Sequence, residues 1–397
     1  MMKILIAILL SIGAAKASAQ SKAFRPAGAF AIEVSLENAP SLKRLPIYQN
    51  AITSLSVSGD YIIGGTTADK GLTPFMFTAS LSKREMVDIK SIDEVARGQR
   101  AIRTGFSKGK NNVYYAGTIP NDLSKGGGHL IAVGVNASGD IDIHDLGVLI
   151  PNEGVFSLTI DARKKILYGI SYPSGWFFTY TIDAKSIRVF KDIAPTHKDL
   201  QTFYEYVLEP EDYLCKALIE SNQGLIFGSL PINRLFCFDP KTQGFFILSD
   251  SIPEVIGRGN LGQVESWAKA KNGRLYGGNA GDGQLFELNP VTKKVKNLGK
   301  PAMMPHIKGL TFARDGKLYG IAGGPPGYSH LFSYDEDKGF KVLGDPLFRM
   351  IAPGMEQNIP WRGFQLETIV SSEDGKYVAM GEGESLSQLL VFVADGK

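Results

Sequence analysis

The stretch 273–299, GRLYGGNAGDGQLFELNPVTKKVKNLG, holds three short apolar runs, each closed by a turn. The first follows a polar turn and ends in an aromatic and a glycine, Tyr276-Gly277. The second, Leu285-Phe-Glu-Leu288, runs into Asn289-Pro290, and the third ends at Leu298-Gly299. Working outward, the first run recurs as Gly316-Lys-Leu-Tyr-Gly320, Gly224-Leu-Ile-Phe-Gly228 and Lys165-Ile-Leu-Tyr-Gly-Ile170. Looser copies are Asn112-Val-Tyr-Tyr-Ala-Gly117, Asp60-Tyr-Ile-Ile-Gly64 and Gly375-Lys-Tyr-Val-Ala379. The second run recurs as Leu235-Phe-Cys-Phe-Asp-Pro240 and Leu331-Phe-Ser-Tyr-Asp335, and the third as Lys341-Val-Leu-Gly344. Another alternating strand, such as Leu310-Thr-Phe-Ala-Arg314, precedes each aromatic-glycine pair.

Four short strands repeating every 43 to 59 residues or so are the mark of propeller blades. The expectation is an all-β, seven-bladed β-propeller of four-stranded blades. Its units are 50–96, 100–148, 154–193, 214–250, 262–300, 306–345 and 363–395. The last unit runs out after Leu389-Leu-Val-Phe-Val-Ala394 and lacks its outer strand. Ala29-Phe-Ala-Ile-Glu-Val-Ser35 can supply one, so the ring is expected to be closed by an N-terminal strand that removes the open seam. Ala194–Tyr213 does not fit the repeat and reads as an inserted loop.

The N-terminus reads as an address. Lys3 precedes the apolar run Ile4–Ala15, which is too short to span a bilayer, and Ala17-Ser18-Ala19 is a small-residue cleavage site. Residues 1–19 are expected to be a signal peptide, 20–397 a single domain, and the mature protein periplasmic or secreted. Losing Lys3 and Lys16 takes the formal charge from +3 to about +1, which leaves no net electrostatic case for nucleic acid or an anionic membrane. Cys215 and Cys237 fall on non-adjacent strands of one blade and read as small buried hydrophobes rather than a disulfide. Neither CxxC nor His-rich spacing suggests zinc. No cofactor is required; a structural calcium in the channel stays open.

Propeller pseudosymmetry brings equivalent residues of each blade to one face. Just before the third strand stand His129, Trp176, Arg234, Gln284, His330 and Gln388. Turns built only for structure favour Gly, Asn, Asp or Pro there. Imidazole, indole, guanidinium and amide groups instead suit a polar ring such as a sugar, with Arg matching a carboxylate. Tyr172, after the second strand of the third blade, points toward the same region. This register holds no Asp or Glu; Asp282, Glu367 and Glu382 are loop or first-strand candidates. That favours β-elimination at a uronic acid over hydrolysis, which needs two carboxyl groups across the bond.

The run Tyr168-Gly-Ile-Ser-Tyr-Pro-Ser-Gly-Trp-Phe-Phe178 after Gly127-Gly-His-Leu130 resembles the seven-bladed polysaccharide lyases. It is most similar to L-rhamnose-α-1,4-D-glucuronate lyases and their rhamnosyl-glucuronidase relatives, which act on rhamnose-capped glucuronic acid ends of arabinogalactans such as gum arabic. The resemblance implies that His129 and Tyr172 form the acid–base pair and that Arg188 or Arg234 holds the uronate carboxylate. Arg188 lies on an outer strand by spacing. Trp176, Gln284 and His330 would complete the substrate site. The hydrolase relatives rely on a His near the N-terminus, where this chain has Gln49 and no His before His129. The implied partner is an acidic plant or algal polysaccharide acted on by a monomer. Hydrolysis of the same linkage and carbohydrate binding without catalysis are the alternatives.

Overall fold

A computed structural model describes residues 23–24, 26, 28–36, 44–46, 49–191, 193, 208–255, 262–324, 328–349, 360–362, 365–383 and 388–394. The expected signal peptide and residues 194–207 of the expected insertion lie outside these residues. The chain folds as an all-β propeller. Each sheet is an up-and-down run of antiparallel strands whose innermost member lines a central channel.

The first sheet comprises Asn50–Ser58, Tyr61–Ala68, Phe75–Ser80 and Glu85–Ser91. The second comprises Gln99–Ile102 with Ser107–Lys108, then Tyr114–Pro120, His129–Val135 and Ile141–Val148. A single pairing, Thr67 with Ala101, joins these two. Gly154–Asp161, Ile166–Tyr172, Phe177–Thr181 and Ser186–Phe190 form the third; Ile219–Glu220, Ile226–Leu230, Arg234–Asp239 and Gly244–Ile247 the fourth. Val264–Lys269, Leu275–Asn279, Leu285–Asn289 and Lys294–Gly299 form the fifth, and Ile307–Phe312, Leu318–Ala322, His330–Asp335 and Gly339–Arg349 the sixth. The last sheet has Leu366–Ser371, Tyr377–Glu382 and Leu389–Val393, and its fourth strand is Phe30–Ile32.

That N-terminal strand pairs antiparallel with Leu389–Val393, Phe30 opposite Val391 and Ile32 opposite Leu389. Nearby, the Val34 N–H donates to Gln388 Oε1 at 3.0 Å. Leu366–Ser371 packs beside Asn50–Ser58, which closes the ring. Ala23–Phe24 also adds, in parallel, to the edge of Gly339–Arg349.

The aromatic-glycine repeat has a packing cause. A Cβ on Gly277 would lie 2.3 Å from the ring of Phe286 on the next strand, and Gly169, Gly228 and Gly320 stand in the same relation to Phe178, Phe236 and Phe332. The glycine is the hollow that admits the phenyl ring. The aromatic before it faces the next sheet instead: Tyr276 meets Phe312 and Tyr319 meets Phe392 edge-on, at ring-centroid distances of 5.3 and 5.4 Å. Each repeat therefore fills its own sheet on one face and the sheet-to-sheet seam on the other. Cys215 and Cys237 are buried free thiols. Among the described residues no helix is long and apolar enough to cross a membrane.

Candidate functional site

Every innermost segment carries the same four-residue pattern: an apolar residue, a variable one, then a small one, then in most cases a large apolar one. The copies are Ile52-Thr-Ser-Leu55, Ile102-Arg-Thr-Gly105, Val155-Phe-Ser-Leu158, Cys215-Lys-Ala-Leu218, Val264-Glu-Ser-Trp267, Ile307-Lys-Gly-Leu310 and Leu366-Glu-Thr-Ile369. In the first, third, fifth, sixth and last sheets the ladder slips at the variable residue. Ile52 pairs with Thr66 and Ser54 with Gly65, which leaves Thr53 as the extra residue of a bulge. Phe156, Glu265, Lys308 and Glu367 are skipped in the same way. A bulge re-aims a side chain that regular pleating would have spent on the sheet.

In the first, third and fifth sheets the small residue anchors the bulge to the neighbouring sheet. Ser54 Oγ donates to the carbonyl of Ile102 at 2.9 Å, Ser157 Oγ to that of Cys215 at 2.9 Å, and Ser266 Oγ to that of Ile307 at 2.7 Å. Each acceptor is the first residue of the next copy of the pattern. In the sixth sheet the small residue is Gly309, where a Cβ would come within 2.7 Å of Ile369.

The variable residues surround a cavity of about 720 Å³ at the mouth of the channel, which continues into a second chamber of about 290 Å³. Thr53, Arg103, Lys216, Glu265, Lys308 and Glu367 line both. Lys70, Arg100, Tyr172, Glu211 and His306 complete the upper wall. A volume of this size suits a small ligand or a chain end.

Charge is distributed unevenly around the ring. On one side His306 Nδ1 lies 2.8 Å from Glu265 Oε2, and Lys308 is paired with Glu367. Burial pushes the Glu265 carboxyl up, but Lys216, His306 and Lys308 together overcome it and bring its pKa to about 2. Glu265 is therefore a carboxylate, and it accepts a hydrogen bond from His306 Nδ1. His306 holds a positive φ of 62°. For a non-glycine residue that is backbone strain, of a kind concentrated at functional sites. On the other side, neither Arg100 nor Lys216 has a carboxylate within 4 Å among the described residues.

Tyr172 ends the second strand of the third sheet. Its ring stacks on Phe156, with centroids 6.0 Å apart and planes at 20°. Burial, and a hydrogen bond donated to Glu211 of the one-turn helix Pro210–Tyr213, push the phenol up to about 12 against an opposing pull from Arg100. It is a neutral donor at neutral pH.

Of the residues singled out from the sequence, Tyr172 and Glu367 line this cavity. His129 opens its strand with Nδ1 2.9 Å from Asp145 on the neighbouring strand, and His330 stands 2.8 Å from Asp345 in the same relation. Trp176 lies under the Lys191 ammonium, 4.4 Å from its ring. Arg188 is exposed on the outermost strand with its guanidinium over Phe190. Arg234 is exposed and donates weakly to the Pro231 carbonyl, and Gln284 is buried against Asp282. The expected ring is therefore corrected: third-strand starts sit two strands, about 10 Å, out from the innermost strand, so they do not converge on the channel. Carboxylates enter from outside that register: Glu211, Glu265 and Glu367 all line the cavity. Of the acids weighed beforehand, Glu367 is in place. Asp282 caps the Val255 N–H, and Glu382 accepts from the Gln388 N–H. His306, just before the first strand of its sheet, and Thr53, Arg103, Lys216, Glu265 and Lys308 were missed; the repeated inner-segment pattern around them was the available signal. Among the described residues no group of three or more His, Cys, Asp or Glu side chains is placed to hold a metal ion.

No protein-family model matches the chain, and no curated protein matches it. Solved structures do. A streptogramin B lyase superposes with a TM-score of 0.56 at 9% identity, covering 88% of this chain and 95% of that one. Virginiamycin B lyase from Staphylococcus aureus gives 0.57 at 7% identity, covering 87% and 95%. The WD40 repeats of RRP9 give 0.58 at 11%, covering 94% and 100%. At such identities the likeness establishes the β-propeller fold.

Proposed function

We propose that the protein is a carbon–oxygen lyase that removes terminal L-rhamnose from rhamnosyl-α-1,4-glucuronic acid ends of an arabinogalactan. The observation that carries the reading is the Glu265-held His306 sharing one cavity with the neutral Tyr172 phenol and the cations Arg100 and Lys216. In this scheme Arg100 and Lys216 bind the uronate carboxylate and acidify the C5 proton. His306 Nε2 takes that proton, and Glu265 stabilises the imidazolium that forms. The C5–H electrons become the C4–C5 double bond, the C4–O4 bond breaks, and O4 leaves with rhamnose, protonated by Tyr172. The base role given to His129 by the resemblance passes to His306, because His129 is engaged with Asp145 away from the cavity. Two structural neighbours are lyases, which supports a propeller as a frame for such chemistry. No cofactor enters the scheme. A cleaved signal peptide would place the enzyme, as a monomer, in the periplasm or outside the cell, where such glycans are met.

Hydrolysis of the same linkage is the second reading, favoured by the glutamates in the cavity. Glu265 and Glu367 are held by His306 and Lys308, and Glu211 and Asp122 are the other carboxyl groups of the cavity wall.

The test is incubation with gum arabic, following released sugar by chromatography and the absorbance of the unsaturated uronate together. Rhamnose with rising absorbance is the expected result. Rhamnose without it moves the case to hydrolysis, and ligand binding without release leaves a carbohydrate-binding propeller.

A further inference from the structure

We propose that Phe156 is a positioning residue, whose ring between the Arg103 guanidinium and the Tyr172 phenol holds those two groups in place in the cavity. The inference deepens the reading of Tyr172 as proton donor and rests on it.

Phe156 breaks a pattern. At the same position the other six sheets carry Thr53, Arg103, Lys216, Glu265, Lys308 and Glu367, all polar and all lining the channel. The bulge that would turn residue 156 toward the channel is present in the third sheet as well. Yet Phe156 is only 2% exposed. The Arg103 guanidinium carbon lies 5.5 Å from its ring centroid, and the Tyr172 ring stacks on it at 6.0 Å and 20°. A flat ring between a guanidinium and a phenol restricts both, the first through cation–π attraction and the second through offset stacking. An aliphatic residue would fill the volume without fixing either plane. The same ring keeps water from one face of Tyr172, consistent with a phenol whose pKa is raised first of all by burial.

The experiment compares Phe156→Leu, Phe156→Tyr and, as a control, Phe236→Leu. Phe236 belongs to the same apolar cluster and has no ring contact with Tyr172. Full-length proteins carrying tyrosine labelled with carbon-13 at Cζ are titrated by NMR, the Tyr172 signal being assigned through Tyr172→Phe. In Phe156→Leu the Tyr172 phenol should ionise about one pH unit or more lower as water reaches it. In Phe156→Tyr and Phe236→Leu it should stay where it is in the wild type. With rhamnose-capped arabinogalactan, kcat should fall at least tenfold or so in Phe156→Leu, with a smaller change in KM, and recover in Phe156→Tyr. If Phe156→Leu does not fold, Phe156→Met, which also loses the flat ring, replaces it.

An unchanged Tyr172 titration in the folded variant, or an equal shift in Phe236→Leu, overturns the positioning role. The titration does not depend on turnover. Failure of the lyase reading would appear separately, as absence of rhamnose release by the wild type.

Discussion

Besides His144, which meets Asp142 of its own strand at 2.9 Å, three histidines each meet a carboxylate at nearly the same distance, yet only one does so in the cavity. His129 with Asp145 and His330 with Asp345 bridge the third and fourth strands of a single sheet, at 2.9 and 2.8 Å. His306 with Glu265, also at 2.8 Å, bridges two sheets at the channel mouth. The pairs are chemically alike and differ in what else is within reach. Around His306 stand cations with no carboxylate within 4 Å among the described residues, and a neutral phenol. The other two stand near the rim of the blades, where the pair satisfies its own strands. A histidine–carboxylate pair is therefore not a site by itself; its position relative to the channel decides.

The sharpest way to break this comparison is to remove each imidazole in turn. His306→Asn should lower rhamnose release by about 10²–10⁴-fold, the span of a lost general base, while His129→Asn stays within about twofold of the wild type. Equal losses in both would dissolve the distinction. Next in size is the cationic side of the ring. Arg100→Gln and Lys216→Gln should each raise KM by about tenfold or more, as expected for losing a hydrogen bond to a charged group worth about 1.5–3 kcal/mol, with kcat less affected.

The bulge anchor gives a smaller effect, on stability. Ser266→Ala leaves the Ile307 carbonyl without its 2.7 Å donor and should cost about 1–3 kcal/mol in urea unfolding at unchanged m-value. Glu265 sharpens the comparison through pH. Its pKa is lowered from 4.5 to about 2, so its stabilisation is complete above the unfolded value and is lost as pH falls from about 4.5 through about 2. The Tm difference between wild type and Glu265→Gln should be constant above pH 5 or so and shrink below it; a difference that persists unchanged at the acid end would contradict the ionised, paired carboxylate. Last, His129→Asn should move stability by no more than about 1 kcal/mol, since His129 and Asp145 are both partly solvated.

Much of the fold was legible because its repeat is written in local chemistry. Tyr276-Gly277 and its copies mark the second strand of a blade because the glycine must receive a phenyl ring and the tyrosine must fill a seam. The closing strand was legible because Leu389–Val393 had no partner in its own unit while Phe30–Ile32 had no unit at all. The candidate site was legible only at Tyr172 and Glu367. Reading the start of the third strand selected polar residues, but polarity cannot distinguish a channel from a rim two strands away. Reading the first strand would have found Thr53, Arg103, Lys216, Glu265, Lys308 and Glu367, yet regular alternation gives no reason to expect them to face the channel. For Thr53, Glu265, Lys308 and Glu367 the bulge supplies that reason, and it exists only in the pairing of two strands.

The sequence by itself determined the four-strand repeat, the glycine hollows and the strand that closes the ring, because each depends on neighbours a few residues apart or on an obvious missing partner. Tertiary structure decided which residues meet. His306 reaches Glu265 from 41 positions away, and Lys308 reaches Glu367 from 59. Such contacts are fixed by the angle between sheets and by the one extra residue in the inner strands of the fifth, sixth and last sheets, quantities that no local pattern of polarity encodes.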